Sequence, residues 1–265
     1  MSKIRLFVVL IVTLIACNLP QSKATPTPAI TPTAAPTETL TPEPVYSPAF
    51  GIDYRNPQQY LSQGDQTLIS DLSVLDGLRS EEQSIEHLGT IYRWLKAEFE
   101  GYEGGGQTIG VITVDQLFEE RRLSGCNDHG LVFAAVARHL GYPAIMVITN
   151  SIAWMDQYQK GKTEGFVGHV FVEIFVDNKW VLIDSTNSWY VEEGYDPTDP
   201  VIPLKGNIAG NSEEIFGFYV IRKGTDHWAL GIHSKNDLHQ AMIEITTQLG
   251  LETIAYPEYT FAHFK

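Results

Sequence analysis

The sequence predicts an α+β domain in which a group of helices precedes an antiparallel sheet. Capping signals and apolar residues at helical spacing cluster before residue 126, whereas segments of strand-like alternation follow it. Two of those segments are joined by Asp177-Asn178, a dipeptide suited to a two-residue hairpin turn. We therefore expect a helix that begins at Cys126 to pack on an antiparallel sheet formed by the chain that follows.

The N-terminus has the pattern of an export signal. Lys3 and Arg5 precede an apolar stretch that is too short to span a bilayer but fits the core of a secretory signal. The tetrapeptide at residues 14–17 resembles the bacterial lipobox, which implies cleavage before Cys17 and lipidation of that cysteine. Residues 1–16 are thus predicted to be a lipoprotein signal peptide, and the protein to be anchored at the cell membrane on the extracytoplasmic side. An ordinary signal peptide with a stray cysteine is the alternative.

Residues 17–48 are predicted to be the lipidated cysteine followed by a disordered linker. Residues 18–48 contain eight prolines and seven threonines and almost no large apolar side chains. Such a segment cannot bury enough surface to offset its ordering entropy. Residues 49–265 have apolar periodicity throughout and are predicted to form one domain.

The charge of the chain argues against a nucleic-acid partner. Its formal net charge is −14, and removing residues 1–16 deletes two basic residues and no acidic one, which leaves −16. An acidic surface without a basic stripe is repelled by phosphate backbones. The predicted partners are a peptide or protein substrate and the membrane, through the lipid on Cys17.

Four helices are indicated by caps and periodicity. Capping-box patterns begin at Ser80 and Thr113, and each precedes apolar residues at helical spacing. The helix that begins at Cys126 has an apolar side and ends at Gly141, as helices often end at glycine. Ser234 is a suitable cap for a helix near the C-terminus.

Strands are predicted between and after these helices. Their ranges are Ala144–Thr149, Val167–Val176, Trp180–Asp184 and Phe218–Arg222. A two-residue turn at Asp177-Asn178 would place Phe171 opposite Asp184, so that His169 and Asp184 become diagonal neighbours on one face. A turn one residue longer would put them on opposite faces.

The connection Asn150–Phe166 is predicted to be a long loop directly before His169. Loops of this length often shape a substrate cleft, and Trp154 and Tyr158 are candidates for its walls. These two residues, with Trp189 and Tyr190, could also form part of the walls of an apolar tunnel. Surface packing of these aromatic side chains is the alternative.

Cys126 is the candidate reactive residue. It is the only cysteine besides Cys17, and a leftover cysteine in an exported chain is either an intermolecular bridge or a reactive thiol. A helix N-terminus favours thiolate over thiol. A small buried side chain without reactivity is the alternative. Asp128 and His129 lie nearby, but no paired zinc motif occurs elsewhere, so no metal or other cofactor is predicted.

Three ordered blocks carry a resemblance to a known family. They are residues 119–126 with the following helix, residues 168–173 and residues 180–184. In this order and spacing they resemble the transglutaminase-like branch of the papain-type cysteine enzymes. The resemblance implies a catalytic triad of Cys126 as nucleophile, His169 as base and Asp184 as the group that orients the imidazole. It also implies a papain-like core with the nucleophile at a helix N-terminus.

One part of that machinery stays unassigned. The N–H of Cys126 can donate to a developing oxyanion, but a second donor is expected. The position six residues before the cysteine, which holds glutamine in papain, is Glu120 here, and an ionised carboxylate cannot donate. Trp94, the nearest upstream tryptophan, lies inside a predicted helix.

The predicted function is an envelope-anchored, cysteine-dependent acyl-transfer enzyme that acts on an amide bond of a peptide or protein. Hydrolysis is favoured over cross-linking, because cross-linking needs an apolar tunnel that excludes water, and no second domain is evident to build one. A non-catalytic peptide- or glycan-binding module on the same fold, with Cys126 buried, is the alternative.

Overall fold

A seven-stranded antiparallel sheet forms the centre of the fold. The computed structural model describes residues 46–47, 50–102, 106–162, 165–204 and 216–265. The strands are β1 (Tyr46–Ser47), β2 (Ile52–Asp53), β3 (Glu100–Gly101), β4 (Arg122–Leu123), β5 (Ala144–Ser151), β6 (Gly168–Val176), β7 (Lys179–Asp184), β8 (Trp189–Glu193), β9 (Val201–Leu204), β10 (Phe216–Gly224) and β11 (Thr260–His263). The large sheet has the order β11-β8-β7-β6-β5-β10-β9, and the pairs β1–β2 and β3–β4 form two small sheets.

Five α-helices accompany the sheet in the described residues. They are α1 (Ile85–Glu98), α2 (Val114–Glu120), α3 (Cys126–His139), α4 (Ile152–Gln159) and α5 (Lys235–Gln248). Short 3-10 helices span Pro57–Leu61, Asp65–Thr67, Leu72–Leu78 and Leu251–Thr253. Helices on one antiparallel sheet confirm the predicted α+β class.

The predicted caps are confirmed for two helices and wrong for a third. Thr113 forms a capping box with Gln116, and the Ser234 side chain accepts a hydrogen bond from Asp237 N. Helix α1, however, is capped by Ser84 and not by Ser80. The Tyr142 hydroxyl accepts a hydrogen bond from Ser84 N, and this contact from a distant residue fixes the helix start.

The predicted loop at 150–166 is also wrong in part. Strand β5 continues to Ser151, whose side chain caps α4 by accepting a hydrogen bond from Trp154 N. Trp154 and Met155 of this helix are buried. Helix α4 forms because its apolar side is covered by the core, which the local sequence did not reveal.

Helix α3 packs closely on the central strand β6. A Cβ atom added at Gly130 would lie only 2.6 Å from Cγ1 of Val170, so only glycine allows this approach. Alternate residues of β6 enter two cores: Val170 and Val172 join the core shared with α3, whereas Phe171 joins a second core. The N-terminus of α3 is therefore fixed against the end of β6 where the candidate histidine lies.

The predictions for the N-terminus fall mostly outside the described residues. The signal peptide and Cys17 lie there, and so does the linker apart from residues 46–47, which pair with β2. Among the residues that the structure describes, none belongs to a helix of the length and apolarity needed to traverse a bilayer.

Candidate active site

Cys126 is the first residue of α3, and the turn before it needs a glycine. Gly125 has a φ of +147°, which residues with a side chain rarely adopt, although there is open space around it. Cys126 is partly exposed, and its sulfur forms no disulfide. The first N–H groups of a helix have no partner within the helix, so the N–H of Cys126 is available to a group that approaches its sulfur.

A buried carboxylate holds this turn. Asp128 accepts hydrogen bonds from Ser124 N and Ser124 Oγ, both at 2.8 Å, and from Thr108 Oγ1 at 2.9 Å. Asp128 is therefore occupied in fixing the residues around Cys126. Within the described residues there is no cluster of three or more His, Cys, Asp or Glu side chains suited to hold a metal ion.

The structure brings His169 and Asp184 together at one end of the β6–β7 hairpin. His169 Nε2 lies 2.8 Å from Asp184 Oδ2. Asp177 and Asn178 both have positive φ, as a type I′ turn requires, and the pairing of Val172 with Ile183 has the predicted register. The predicted turn and diagonal arrangement are thus confirmed.

Asp184 is held from several sides. Its carboxylate accepts hydrogen bonds from Thr186 N at 2.8 Å, Asn187 N at 2.9 Å and Asn187 Nδ2 at 2.9 Å, besides that from His169. Burial raises the pKa of Asp184, but the hydrogen bonds and charge of His169 and the bonds from Asn187 outweigh it and lower the pKa. Asn187 was missed at the level of sequence. The spacing could have indicated it, because an aspartate carboxylate commonly accepts hydrogen bonds from the N–H groups two and three residues onward.

His169 is positioned to hold a proton beside Cys126. Burial alone lowers the pKa of His169, yet hydrogen bonds to Asp184 and Cys126, with their charges, raise it to about 10. At neutral pH the ring is therefore an imidazolium with both nitrogens protonated, with Asp184 at one nitrogen and Cys126 on the other side. Such an arrangement is suited to nucleophilic attack by sulfur followed by proton delivery.

His129 does not compete for this role. Burial, followed by the charge of Lys96, lowers the pKa of His129 to about 4, so it is neutral at pH 7. The side chain is buried one helical turn after Cys126. We interpret it as a neutral packing residue beneath the site.

A cleft of about 310 Å³ opens beside the histidine. Its lining is mostly apolar and combines residues from α3, α5 and the strands; they are Ile109, Asn127, Ile148, Thr149, Phe166, Gly168, His169, Val170, Lys235, Leu238, His239 and Met242. The Phe166 ring stacks on His239 with centroids 3.6 Å apart, and Trp154 supports it from 5.0 Å.

The aromatic residues expected to form the cleft walls have other positions. The Trp154 ring packs against both Phe166 and Tyr158. Trp189 is buried in the second core. Tyr190 stacks on Phe264. None of these four lines the cleft.

Comparisons with known proteins agree with this fold. Residues 73–185 match the sequence model of the transglutaminase-like superfamily, and this segment contains Cys126, His169 and Asp184. The match covers less than half of the chain, and the predicted transglutaminase-like, papain-like α+β fold is confirmed. A search of curated proteins found no matching relative.

One solved structure is similar over part of the chain. It is described as "a Putative Cysteine Protease from Cytophaga hutchinsonii", with 16% sequence identity and a TM-score of 0.42. The alignment covers 64% of this chain and 47% of that one, so the chain spans about half the length of that protein.

Proposed function

We propose that this protein is an envelope-anchored, cysteine-dependent acyl-transfer enzyme that hydrolyses an amide bond of a peptide or protein. The observation that carries the proposal is the hydrogen-bonded pair of His169 and Asp184, 2.8 Å apart, beside the partly exposed Cys126 at a helix N-terminus. The neighbouring imidazole has a raised pKa and stays protonated at neutral pH, which an inert cysteine would not require.

The proposed reaction has two halves. In the first, the Cys126 sulfur bonds to the carbonyl carbon, and an electron pair of the C=O bond moves to oxygen. The C–N bond then breaks, and the leaving amine takes the proton from His169 to leave a thioester on Cys126. In the second, water attacks the thioester while His169 accepts its proton, and the carboxylic acid departs as the thiolate forms again.

The cleft supports a peptide-like substrate and water as the second reactant. Its lining combines aliphatic side chains and Phe166 with the polar groups of Asn127, Thr149, His169, Lys235 and His239, as in sites that bind amino-acid side chains. Amine transfer would need a pocket that favours an amine over water by position or binding. The four aromatic residues considered for such a tunnel do not line the cleft, which favours hydrolysis.

The proposed reaction can be tested with the full chain. A glutamine-rich protein with blocked lysines is incubated with a labelled primary amine, and both peptide release and amine incorporation are measured. We expect release of peptides, without incorporation of the amine, that disappears in Cys126→Ala. Incorporation of the amine that depends on Cys126, without release of cleaved product, would replace hydrolysis by transamidation.

The proposed location has a separate test. We propose that Cys17 is the lipidated N-terminus of the mature protein, because the lipobox-like tetrapeptide follows a short apolar signal. Cys17→Ser should move the protein from the membrane fraction to the soluble fraction, and Cys126→Ser is the matched control. Firm membrane attachment of Cys17→Ser would contradict lipid anchoring at this residue.

A further inference from the structure

We infer that the side-chain amide of Asn127 is the second oxyanion donor of this site and that His227 is the residue that positions it. The inference rests on the proposed acyl-transfer function and fills the role that Glu120 cannot fill. Glu120 is exposed at the end of α2, and Trp94 packs with Phe99 and Phe118. Neither residue lines the cleft.

Asn127 presents its amide to both the sulfur and the cleft. It is the second residue of α3, its Nδ2 lies 3.8 Å from Cys126 Sγ, and it lines the cleft together with His169. A carbonyl carbon bonded to Sγ places its oxygen farther out than the sulfur, within reach of a donor at this distance. Oxyanion donors act at about 2.7–3.1 Å from that oxygen.

His227 determines which end of the amide faces the sulfur. His227 Nε2 lies 2.9 Å from Asn127 Oδ1. His227 Nδ1 is buried and has no hydrogen-bond partner among the described residues. A neutral imidazole with its proton on Nδ1 would bury an unsatisfied N–H, which is the costlier arrangement. The proton therefore belongs on Nε2, which donates to Asn127 Oδ1 and leaves Nδ2 directed at Cys126.

His227 is itself firmly held. Its backbone N–H donates to Gln66 Oε1 at 3.0 Å, and Gln66 Nε2 donates to Ile112 O at 2.9 Å. Both side chains are buried, and burial lowers the pKa of His227 to about 4, so the imidazole is uncharged at neutral pH. The chain from Gln66 through His227 to Asn127 thus fixes an amide without placing a second cation near the sulfur.

The chemistry gives Asn127 a role only when the carbonyl is attacked. As Sγ bonds to carbon, the C=O electron pair moves to oxygen, and the negative charge is stabilised by the Cys126 N–H and the Asn127 Nδ2–H. When the C–N bond breaks, the electron pair on oxygen forms the C=O bond again and the negative charge disappears. Alkylation of the thiolate by iodoacetamide occurs at a saturated carbon and forms no oxyanion. The two reactions therefore separate an oxyanion donor from a residue that only supports the thiol.

The test uses the full-length protein with two probes. Acylation by p-nitrophenyl acetate is followed as the nitrophenolate burst, and alkylation by iodoacetamide is followed by mass spectrometry of the peptide that contains Cys126. Asn127→Ala should slow acylation by about 10²- to 10³-fold and leave the alkylation rate nearly unchanged. Asn236→Ala is the matched control, since Asn236 is also the second residue of a helix but is exposed, and neither rate should change.

His227 is tested through the same pair of rates. His227→Phe should lower acylation more than alkylation, and His227→Gln should restore part of the acylation because its amide can donate to Asn127. Acylation that survives Asn127→Ala, or equal losses in both reactions, would overturn this inference alone. A wild-type burst that does not depend on Cys126 would overturn the proposed function as well.

Discussion

Strand β6 carries one member of each of two pairs of opposite charge, His169 with Asp184 of β7 and, four residues onward, Glu173 with Lys223 of β10. The contact distances are 2.8 Å and 2.5 Å, and both carboxylates are almost completely buried. The imidazole of the first pair lines the cleft beside Cys126, whereas both side chains of the second pair are fully buried.

The second pair is enclosed by other polar groups. The Lys223 ammonium donates to Tyr54 Oη at 2.8 Å and to Pro197 O at 2.7 Å, in addition to Glu173. The hydroxyls of Tyr54 and Tyr195 donate to the Glu173 carboxylate. Burial is the largest influence on Lys223 and lowers its pKa, although Glu173 acts in the opposite direction.

The comparison shows that access to the cleft, and not the kind of charge pair, distinguishes a candidate site from a structural contact. Lys223 and Glu173 join segments that are far apart in sequence. Both side chains are fully buried, so a substrate cannot reach them. His169 has the Asp184 carboxylate on one side and Cys126 on the other, and its imidazole lines the cleft. Substitutions at the first pair should therefore reduce activity, whereas substitutions at the second pair should reduce stability.

The largest expected effect is on activity at the His169 pair. His169→Ala should lower the rate of p-nitrophenyl acetate turnover by a factor on the order of 10⁴ or more, and Asp184→Ala should cost about 10²-fold less than that. The reason is that the first change removes the base, whereas the second removes its orientation. The double variant Cys126→Ala with His169→Ala should be little worse than either single variant. Additive losses would argue against a shared mechanism.

The next effect is on stability at the enclosed pair. Lys223→Met should lower the free energy of unfolding by about 3–5 kcal/mol, because it leaves the Glu173 carboxylate buried without its cation. Lys223→Met combined with Glu173→Leu should recover part of this loss in denaturant titrations.

An exposed pair provides the control for that measurement. Lys160 and Asp156 are 2.7 Å apart with side chains 64% and 48% exposed. Lys160→Met should therefore cost at most about 0.5 kcal/mol. Equal costs at the two lysines would contradict the structural role assigned to Lys223.

A titration of the His169 imidazole tests the protonation state of the first pair directly. NMR should show His169 protonated at pH 7 to 8 and losing its proton as the pH approaches its pKa of about 10. Asp184→Asn should lower that pKa. Because the pKa in the folded state is above the usual 6.5, the pair stabilises the folded state below that pH, and this contribution is lost as pH rises toward 10. His227 should remain neutral at pH 6 and serves as the internal control. An unprotonated His169 at pH 7 would contradict the proton assignment.

The smallest effect concerns the cleft. Phe166→Ala should raise the KM for substrates with large apolar side chains by about 10-fold and leave kcat nearly unchanged, because Phe166 lines the cleft without touching the reacting atoms. Val111→Ala is the control, because Val111 is exposed. Phe175→Ala is not suited to this purpose, because Phe175 packs on Trp180. A selective fall in kcat would place Phe166 in the chemistry.

The parts of the site that lie close in sequence were predictable. The period of two in β6 and β7, with a two-residue turn, was enough to place His169 diagonal to Asp184. The apolar side of α3 likewise indicated the helix that begins at Cys126.

The rest depends on contacts between distant residues. His227 reaches Asn127 across 100 positions, and Lys223 reaches Glu173 across 50, and no local pattern signals either contact. The same limit explains the wrong cap. Ser80 has the capping-box spacing, but Tyr142, which is far along the chain, binds Ser84 and fixes the start of α1 there.

The most direct test of the central claim is to look for the acyl group on Cys126. The full chain is mixed with p-nitrophenyl acetate, quenched within the burst, and mapped by mass spectrometry. We expect a burst of nitrophenolate that approaches one equivalent, with one acetyl group on the peptide that contains Cys126. Both should disappear in Cys126→Ala and be greatly slowed in His169→Ala. A burst that is unchanged in Cys126→Ala, or a wild-type protein with no acetyl group on Cys126, would contradict the claim that this cysteine is a catalytic nucleophile.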